Sequence, residues 1–482
     1  MHADVPGSGL VVGLESPPPA PIPAGTGTAV FLYGTCFHPE RAVDRLALVV
    51  GGVAHRPAAT GMPRPDVHER RPVPAAFRSG FWAVLPVPPG TAAGDTVPID
   101  AAVELTGGER RVVPLARIEV TEPDEPAGAA SASGLIAVCM ATFEPDPVLF
   151  DAQIASLREQ TDTDWVCVIS DDCSAPEHAA RIERSVAGDP RFVVARSDRR
   201  LGFYRNFERA IRLAPPEAEL LALCDQDDRW RPEKLAVLRR SLGGAGLVFS
   251  DQRLVDADGR VLRETMWQGR RNNHADLASM LVANSVTGAA TLFRREIGRL
   301  ALPFPETPGL QFHDHWLGLV ALAAGDVAYV DRPLYDYVQH AGAIFGEVSQ
   351  QRGRSRPRAL LRGGRGAYFL GYAPRAVQAT ALLVRCGHLL TPAKRRALRR
   401  FAAAERSPLA FAWLALRPLR VLAGRDETLG SEAELARGIA WRRLVSAVAR
   451  GAALAGRRIG DARFPDPLSF EQRRLRRWRA RL

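Results

Sequence analysis

The chain has 482 residues, 46% hydrophobic and 24% charged, which excludes a disordered chain or a rod and suggests about three globular domains. No stretch reaches the roughly 18 consecutive apolar residues that span a bilayer, and the N-terminus lacks a basic start followed by an apolar run, so no transmembrane segment or secretory signal is expected and a cytosolic location is inferred. The net charge of +11 hides a split: residues 351–482 carry 30 basic and 8 acidic residues, whereas residues 1–350 carry 34 and 45, an acidic body with a basic tail rather than the evenly basic surface of a nucleic-acid binder.

Residues 1–26 are rich in Pro, Gly and Ala and read as a flexible leader. Residues 27–120 hold short apolar runs such as RLALVVGG and GFWAVLPV between Gly, Pro and Asp turns, which predicts an all-β sandwich or barrel. The acidic, then small-residue segment 121–134 reads as a linker. The pattern then changes. LIAVCM (Leu135–Met140) is a continuous apolar run like a buried parallel strand, followed by a helical stretch in which Val148, Ile154 and Leu157 are assigned to one face. Strands WVCVIS, FVVA, LLALC and GLVFS alternate with helices near Ala179–Val186, Tyr204–Leu213 and Pro232–Leu242, so residues 135–350 form an α/β domain around a largely parallel sheet. Residues 351–482 have helical spacing broken at Pro357, Pro374, Pro392, Pro408 and Pro418 and end in an arginine-dense segment, a basic helical region.

The six cysteines form no C-x-x-C pair, and Lys234 and Lys394 are the only lysines. Neither a zinc site nor a disulfide framework is indicated. In parallel sheets ligands bind beyond the carboxyl ends of the strands. The residues there are Thr142–Glu144, Asp171-Asp172, Asp225–Asp228 and Asp251. Carboxylates crowded at one sheet edge repel one another unless a cation neutralises them, and oxygen ligands suit Mg²⁺ or Mn²⁺. With no phosphate-cradling loop of the G-x-x-x-x-G-K type, the metal is the group to hold a diphosphate. An isolated D-x-D is more often an acidic turn capping the following helix and by itself decides nothing.

Seven segments in order strengthen the functional alternative: MATFE, SDDCS, LGFYRNFERA, CDQDDRWRPEKL, FSDQRLVDADGRVL, NSVTGAATLFRRE and HDHWLGLVALAAGDVAYVDRPLYDYVQH. Together they resemble the family 2 glycosyltransferases, most closely the rhamnosyltransferase-like branch, over about residues 135–346. The resemblance implies a GT-A (Rossmann-like) α/β core and inverting transfer of a sugar from a dTDP- or UDP-sugar to a hydroxyl of a cell-surface or cell-wall glycan, or of a polyprenyl-linked acceptor. It implies that Thr142, Glu144, Asp172 and Asp225 contact the donor, that Asp227 and His340 hold the metal with Asp228 close by, and that Asp314 is the catalytic base. Phe143-Glu144 stands where the family commonly has Tyr-Asn, which leaves the role of Glu144 open. Arg205 and Asn206 are further donor candidates or a solvated helix face. Gly288 allows either close approach of the sugar or a tight turn. Trp230 and Trp316 are acceptor candidates or packing residues. His313-Asp314-His315 is a poor metal triplet, because adjacent helical residues do not face one another.

A β-domain, a GT-A domain and a helical tail occur in similar order among cell-wall galactofuranosyltransferases. The β-domain is therefore a glycan guide or an inert packing module. The tail's arginines interleave with Phe401, Phe411, Trp413, Trp441, Phe470 and Trp478, a pattern that suits either an anionic membrane surface, at the inner face of the plasma membrane, or a bundle packed on the catalytic domain. The alternative to an enzyme is a catalytically inactive glycosyltransferase-like scaffold or glycan-binding protein.

Overall fold

Period-two burial builds the first part of the chain. In the strand Thr96–Leu105, alternate residues Val97, Ile99, Ala101, Val103 and Leu105 are buried, the mark of a sheet with one face on a core. The computed structural model describes residues 2–4, 9–16, 19–123, 134–267, 271–309, 312–339, 363–428 and 430–454. Ten strands come first: β1 (His2–Asp4), β2 (Val11–Leu14), β3 (Ile22–Pro23), β4 (Thr28–Phe37), β5 (Val43–Val50), β6 (Val53–His55), β7 (Ala59–Met62), β8 (Gly80–Val87), β9 (Thr96–Leu105) and β10 (Arg110–Thr121). They form two five-stranded sheets, in the orders β1-β2-β4-β8-β7 and β3-β10-β9-β5-β6. One apolar core, from Leu10 and Val12 to Ile118 and Val120, draws on both sheets, which makes a sandwich. Short helices α1 (Pro65–Arg70) and α2 (Pro74–Phe77) connect β7 to β8. The expectation of a leader over residues 1–26 is corrected here. Val11, Val12, Leu14 and Ile22 lie buried in β2 and β3, because short apolar runs suffice to add β2 between β1 and β4 and β3 at the edge beside β10.

The second part is a nine-stranded mixed sheet made of β11 (Ile136–Thr142), β12 (Trp165–Asp171), β13 (Phe192–Arg196), β14 (Leu220–Cys224), β15 (Arg229–Trp230), β16 (Leu247–Asp256), β17 (Val261–Arg263), β18 (Thr291–Arg294) and β19 (Val327–Gln339). The order is β13-β12-β11-β14-β18-β16-β19-β15, with β17 on β16. The four strands from β13 to β14 are parallel, β18 runs against both its neighbours, and β16 and β19 are parallel. The parallel half carries the continuous apolar runs, since both faces are covered: every residue of β14 is buried. Its helices are α3 (Pro147–Arg158), α4 (Pro176–Val186), α5 (Phe203–Leu213), α6 (Lys234–Leu242), α7 (Leu277–Val282), α8 (Arg295–Ala301) and α9 (His313–Ala324). In α3 the buried apolar residues are Leu149, Phe150, Ile154 and Leu157, while Val148 is 72% exposed. At 100° per residue, Val148 stands about 120° from Ile154, so the two do not share a face.

Helices α10 (Ala373–Arg385), α11 (Pro392–Ala403), α12 (Pro408–Leu416) and α13 (Ser431–Leu454) close the fold, with a 3₁₀ segment Arg417–Ala423 after α12. They join the other two parts. The Trp82 indole N–H of β8 donates to the Tyr368 hydroxyl at 2.8 Å, and Tyr368 donates to the Glu405 carboxylate at 2.6 Å. The Arg385 guanidinium donates to the carbonyls of Gly27 at 3.0 Å, Ala301 at 2.8 Å and Pro303 at 3.1 Å. A single apolar cluster runs from Trp82 and Met62 through the mixed sheet to Tyr372, Phe401 and Ile439. Trp441 packs on Tyr368 and Phe369. The described helices of the tail are thus a packed bundle, whereas Phe470, Trp478 and His340 lie outside the described residues.

Candidate active site

Four strand ends meet at one edge of the mixed sheet. After β11 the chain turns through Glu144 at φ +41°, and after β12 through Cys173 at φ +62°, left-handed conformations that a non-glycine residue adopts only where surrounding bonds hold it. Those bonds are present. The Glu144 N–H donates to Ser174 Oγ at 2.8 Å, and the Asp171 carboxylate accepts from the Ser174 hydroxyl and, at 3.2 Å, its N–H. Gln226 ties the first turn to the DQDD loop, accepting the Phe143 N–H at 2.8 Å and donating back to the Phe143 carbonyl at 3.3 Å. Thr142 is buried beneath these turns, and its carbonyl accepts the Asp172 N–H at 2.9 Å. The Glu144 side chain is exposed.

The buried Asp172 carboxylate accepts the N–H groups of Leu201 at 2.6 Å and Gly202 at 2.8 Å, with Arg200 at 3.8 Å. Burial nevertheless holds its pKa above the ordinary value, over the opposing pull of those donors. Asp172 therefore fixes the loop leading into α5. Asp251 lies within β16 and is saturated by the N–H groups of Gln252 and Met266 and by the Thr265 hydroxyl.

The DQDD loop links β14 to β15. Burial, then repulsion from Asp227 and Asp314, pushes the Asp225 carboxyl up to about 7. Asp228 is buried; its Oδ1 accepts the Val338 N–H of β19 at 3.3 Å, its Oδ2 has no hydrogen-bond partner among the described residues, and its pKa is raised first by burial and then by Asp225 and Asp227. An unsatisfied buried carboxylate oxygen beside two further carboxylates is costly without a cation. That donor chemistry fits a divalent, oxygen-preferring ion. Among the described residues, no three His, Cys, Asp or Glu side chains converge on one point, so such a shell needs donors from elsewhere.

Asp314 enters the cluster from the first turn of α9. Its Oδ1 accepts from Asn284 Nδ2 at 3.1 Å and the His315 N–H at 2.6 Å, and its Oδ2 accepts the Gly288 N–H at 3.3 Å. Burial outweighs these donors and pushes its pKa up to about 6. The rings of the adjacent His313 and His315 point elsewhere. His313 stacks on Phe207 with centroids 3.7 Å apart, and His315 Nε2 is bonded to the Met280 carbonyl at 2.8 Å.

Several expectations are corrected by this geometry. Asn206 is buried and spends its amide on Ser170 Oγ and the carbonyls of Thr142 and Ser170. Arg205 is held by Glu208, Glu306 and the Phe304 carbonyl. Both brace α5 against neighbouring segments rather than facing a ligand. Trp316 is fully buried with its indole N–H on the Ala301 carbonyl at 2.8 Å, and Trp230 is 3% exposed. Both are core, not acceptor platforms. The glycine at 288 is required by the His313 ring, since a Cβ there would lie 2.6 Å from His313 Nε2.

Other residues of the site had no role assigned from sequence. Asn284 orients Asp314. Lys234 is fully buried, donates to the Ala289 carbonyl, and lies 3.2 Å from the centroid of the Trp230 ring. Desolvation lowers its pKa to about 7 against the fields of Cys224, Asp228 and Asp225. Its rarity was the available signal. In a chain that otherwise uses arginine, a lysine marks a place where a compact cation fits and a guanidinium does not.

Residues 138–299 match Glycosyl transferase family 2. The domain built on the mixed sheet is similar to that family over those residues. The match and the sheet order give this domain a GT-A α/β core. A protein of Sinorhizobium fredii, the uncharacterised y4gI, is 29% identical over 122 residues, 24% of this chain and 13% of that protein. This chain therefore spans a small part of that relative's length. Similar solved structures include S. aureus TarS 1–349 in complex with UDP-GlcNAc, at 16% identity and TM-score 0.40, covering 66% of this chain and 92% of TarS 1–349. Another is the mannosyltransferase PcManGT of Pyrobaculum calidifontis in complex with GDP-Man and Mn²⁺, at 18% identity and TM-score 0.33, covering 65% and 86%.

Proposed function

We propose that this protein is an inverting, metal-dependent glycosyltransferase that moves rhamnose or another hexose from a dTDP- or UDP-sugar to a hydroxyl of a growing surface or cell-wall glycan. The observation that carries this reading is the convergence of Asp314 with the DQDD loop, close enough that the Asp314 charge raises the Asp225 pKa. A carboxylate held by three donors, facing a carboxylate cluster that fits a cation, is the pair of groups that displacing a nucleoside diphosphate requires.

In this reading Glu144 and Asp225 border the donor, while Thr142, Asp172 and Gly288 hold the turns and the Asp314 carboxylate around it. Asp227 and Asp228 hold Mn²⁺ or Mg²⁺, joined by His340, which follows directly on β19. The metal, when bound, neutralises the charge that develops on the departing diphosphate. The acceptor oxygen forms a bond to the anomeric carbon as the bond to the diphosphate oxygen breaks, and the acceptor proton passes to Asp314. Its Oδ2, which accepts one long bond from Gly288, has the free lone pair for that proton. One base on the face opposite the leaving group gives inversion. A retaining double displacement would need a second flanking carboxylate as nucleophile.

In this reading the acceptor, glycan or polyprenyl-linked, is at the inner face of the plasma membrane, which the charge split between body and tail supports. Among the described residues no helix is long and apolar enough to cross a membrane. A screen of nucleotide sugars for binding and slow donor hydrolysis, with and without Mn²⁺, tests the proposal. Metal-dependent binding of one nucleotide class with hydrolysis is expected. Absence of both across the panel would favour an inactive scaffold.

A further inference from the structure

Net charge favours a membrane partner but does not say where contact is made. A specific face of the closing helices has the chemistry for it. Helix α12, PLAFAWLAL, has no charged residue. One side is used in packing, with Ala410 and Leu414 buried. The other is unused: Leu409 is 85% and Leu416 60% exposed, with the half-buried Trp413 between them on the same side. The following 3₁₀ segment repeats every three residues, so Leu416, Leu419 and Leu422 align, and the last two are 58% and 84% exposed. The result is a continuous apolar stripe from Leu409 to Leu422 on the outside of the molecule, a feature that soluble surfaces rarely leave without a purpose.

The stripe does not stand alone. Leu409 and Trp413 line a groove of about 890 Å³ whose other wall is the arginine face of α11, with Arg395, Arg396, Arg399 and Arg400. Arg396, Arg399 and Arg400 are exposed and have no carboxylate partner among the described residues. Between Pro392 and Leu422 there are eight basic residues and one acid. That acid, Glu405, is buried and bonded to Tyr368 and Arg442. Leucines beside unpaired guanidinium groups match a bilayer surface, where acyl chains lie under anionic headgroups and arginine pairs with phosphate. A protein partner would also cover the leucines, but it gives no reason for so one-sided a charge. We propose that the face formed by α11, α12 and the segment Arg417–Ala423 docks on an anionic lipid surface, with Leu409, Leu416, Leu419 and Leu422 entering the interface and Arg396, Arg399 and Arg400 on the headgroups.

This deepens the membrane reading and is independent of the reaction. The test uses the full chain in co-sedimentation with vesicles of phosphatidylcholine alone or containing about one-third phosphatidylglycerol, at low salt and at about 0.5 M salt, where surface charge is largely screened. Three variants are compared: Leu409→Glu/Leu416→Glu/Leu422→Glu; Arg396→Glu/Arg399→Glu/Arg400→Glu; and a tail variant with Arg473, Arg474, Arg476, Arg477 and Arg479 replaced by serine. All substituted residues of the first two sets are exposed, and thermal melts and donor hydrolysis verify that fold and site are retained. The expected result is at least tenfold weaker binding to anionic vesicles for each of the first two variants and less than threefold for the tail variant. Loss confined to the tail variant would overturn this face while leaving the membrane partner intact. No binding of the wild type to either vesicle would overturn both. A wild-type dimer that the leucine variant converts to monomer would assign the face to a second copy and overturn the lipid.

Discussion

Replacing Asp314 by Asn separates the catalytic role of this carboxylate from its cost to the fold. The folded protein raises the Asp314 pKa from 3.8 to about 6, so at pH 7 ionisation opposes folding by about 2 units at roughly 1.4 kcal/mol each, or about 3 kcal/mol. Asparagine removes that cost. Its Oδ1 keeps the bonds from Asn284 and His315, while its Nδ2 meets the Gly288 N–H as a second donor, which forfeits about 1 kcal/mol. The balance is a metal-free protein about 2 kcal/mol more stable at pH 7, a rise in Tm of about 2–4 °C. The sign follows from a raised carboxyl pKa. The cost of ionisation is absent below the unfolded value near 3.8, grows as pH rises to about 6 and is complete above it, so the Tm gap between variant and wild type opens over that window. Activity moves the other way. Turnover falls by about 10² or more with donor affinity nearly unchanged, and wild-type turnover falls at low pH as the base becomes protonated, below the metal-free value of about 6 because the bound cation favours the carboxylate. Calorimetric melts in chelator from pH 4 to 8, nucleotide titration and initial rates measure all of this. A variant several degrees less stable at pH 7, or one that loses nucleotide affinity while keeping turnover per bound donor, would refute the assignment.

Asp227→Ala is expected to abolish turnover with no loss of secondary structure by circular dichroism, and chelation of the wild type to do the same reversibly; full turnover in chelator would remove the metal from the mechanism. Gly288→Ala places a methyl 2.6 Å from His313 Nε2, so displacement of that ring from Phe207 should disturb the start of α9 and lower turnover at least tenfold; wild-type rates would show that the ring yields freely. Arg385→Met leaves the carbonyls of Gly27 and Pro303 without this donor and that of Ala301 with only the Trp316 indole, a destabilisation of about 2–4 kcal/mol measurable by urea unfolding. The same variant should split the transition as the β-sandwich separates from the rest, and an unchanged single transition would argue against the clasp.

Local pattern was enough for much of this molecule. The alternation in β9, the unbroken apolar runs of β11 and β14, and the acidic residues after them are properties of neighbours in sequence, where side-chain period and burial on one or both faces leave a direct imprint. The family 2 resemblance, a comparison of ordered motifs, is matched by residues 138–299. Contacts between distant segments left no such imprint. Trp316 and Trp230 have the composition of sugar platforms, but an indole in a motif carries no mark of which side of the sheet it faces, and both are core. Asn206 and Arg205 look like ligand donors until the carbonyls of Thr142, Ser170 and Phe304 claim them. The apolar run of α12 was visible as a string of leucines, yet only packing shows that Ala410 and Leu414 are spent while Leu409, Leu416 and Leu422 remain outside. Sequence determines which groups a protein owns. Which of them are left unpaired, at a sheet edge or on a surface, depends on contacts made across the whole chain, and those are decided by the tertiary fold.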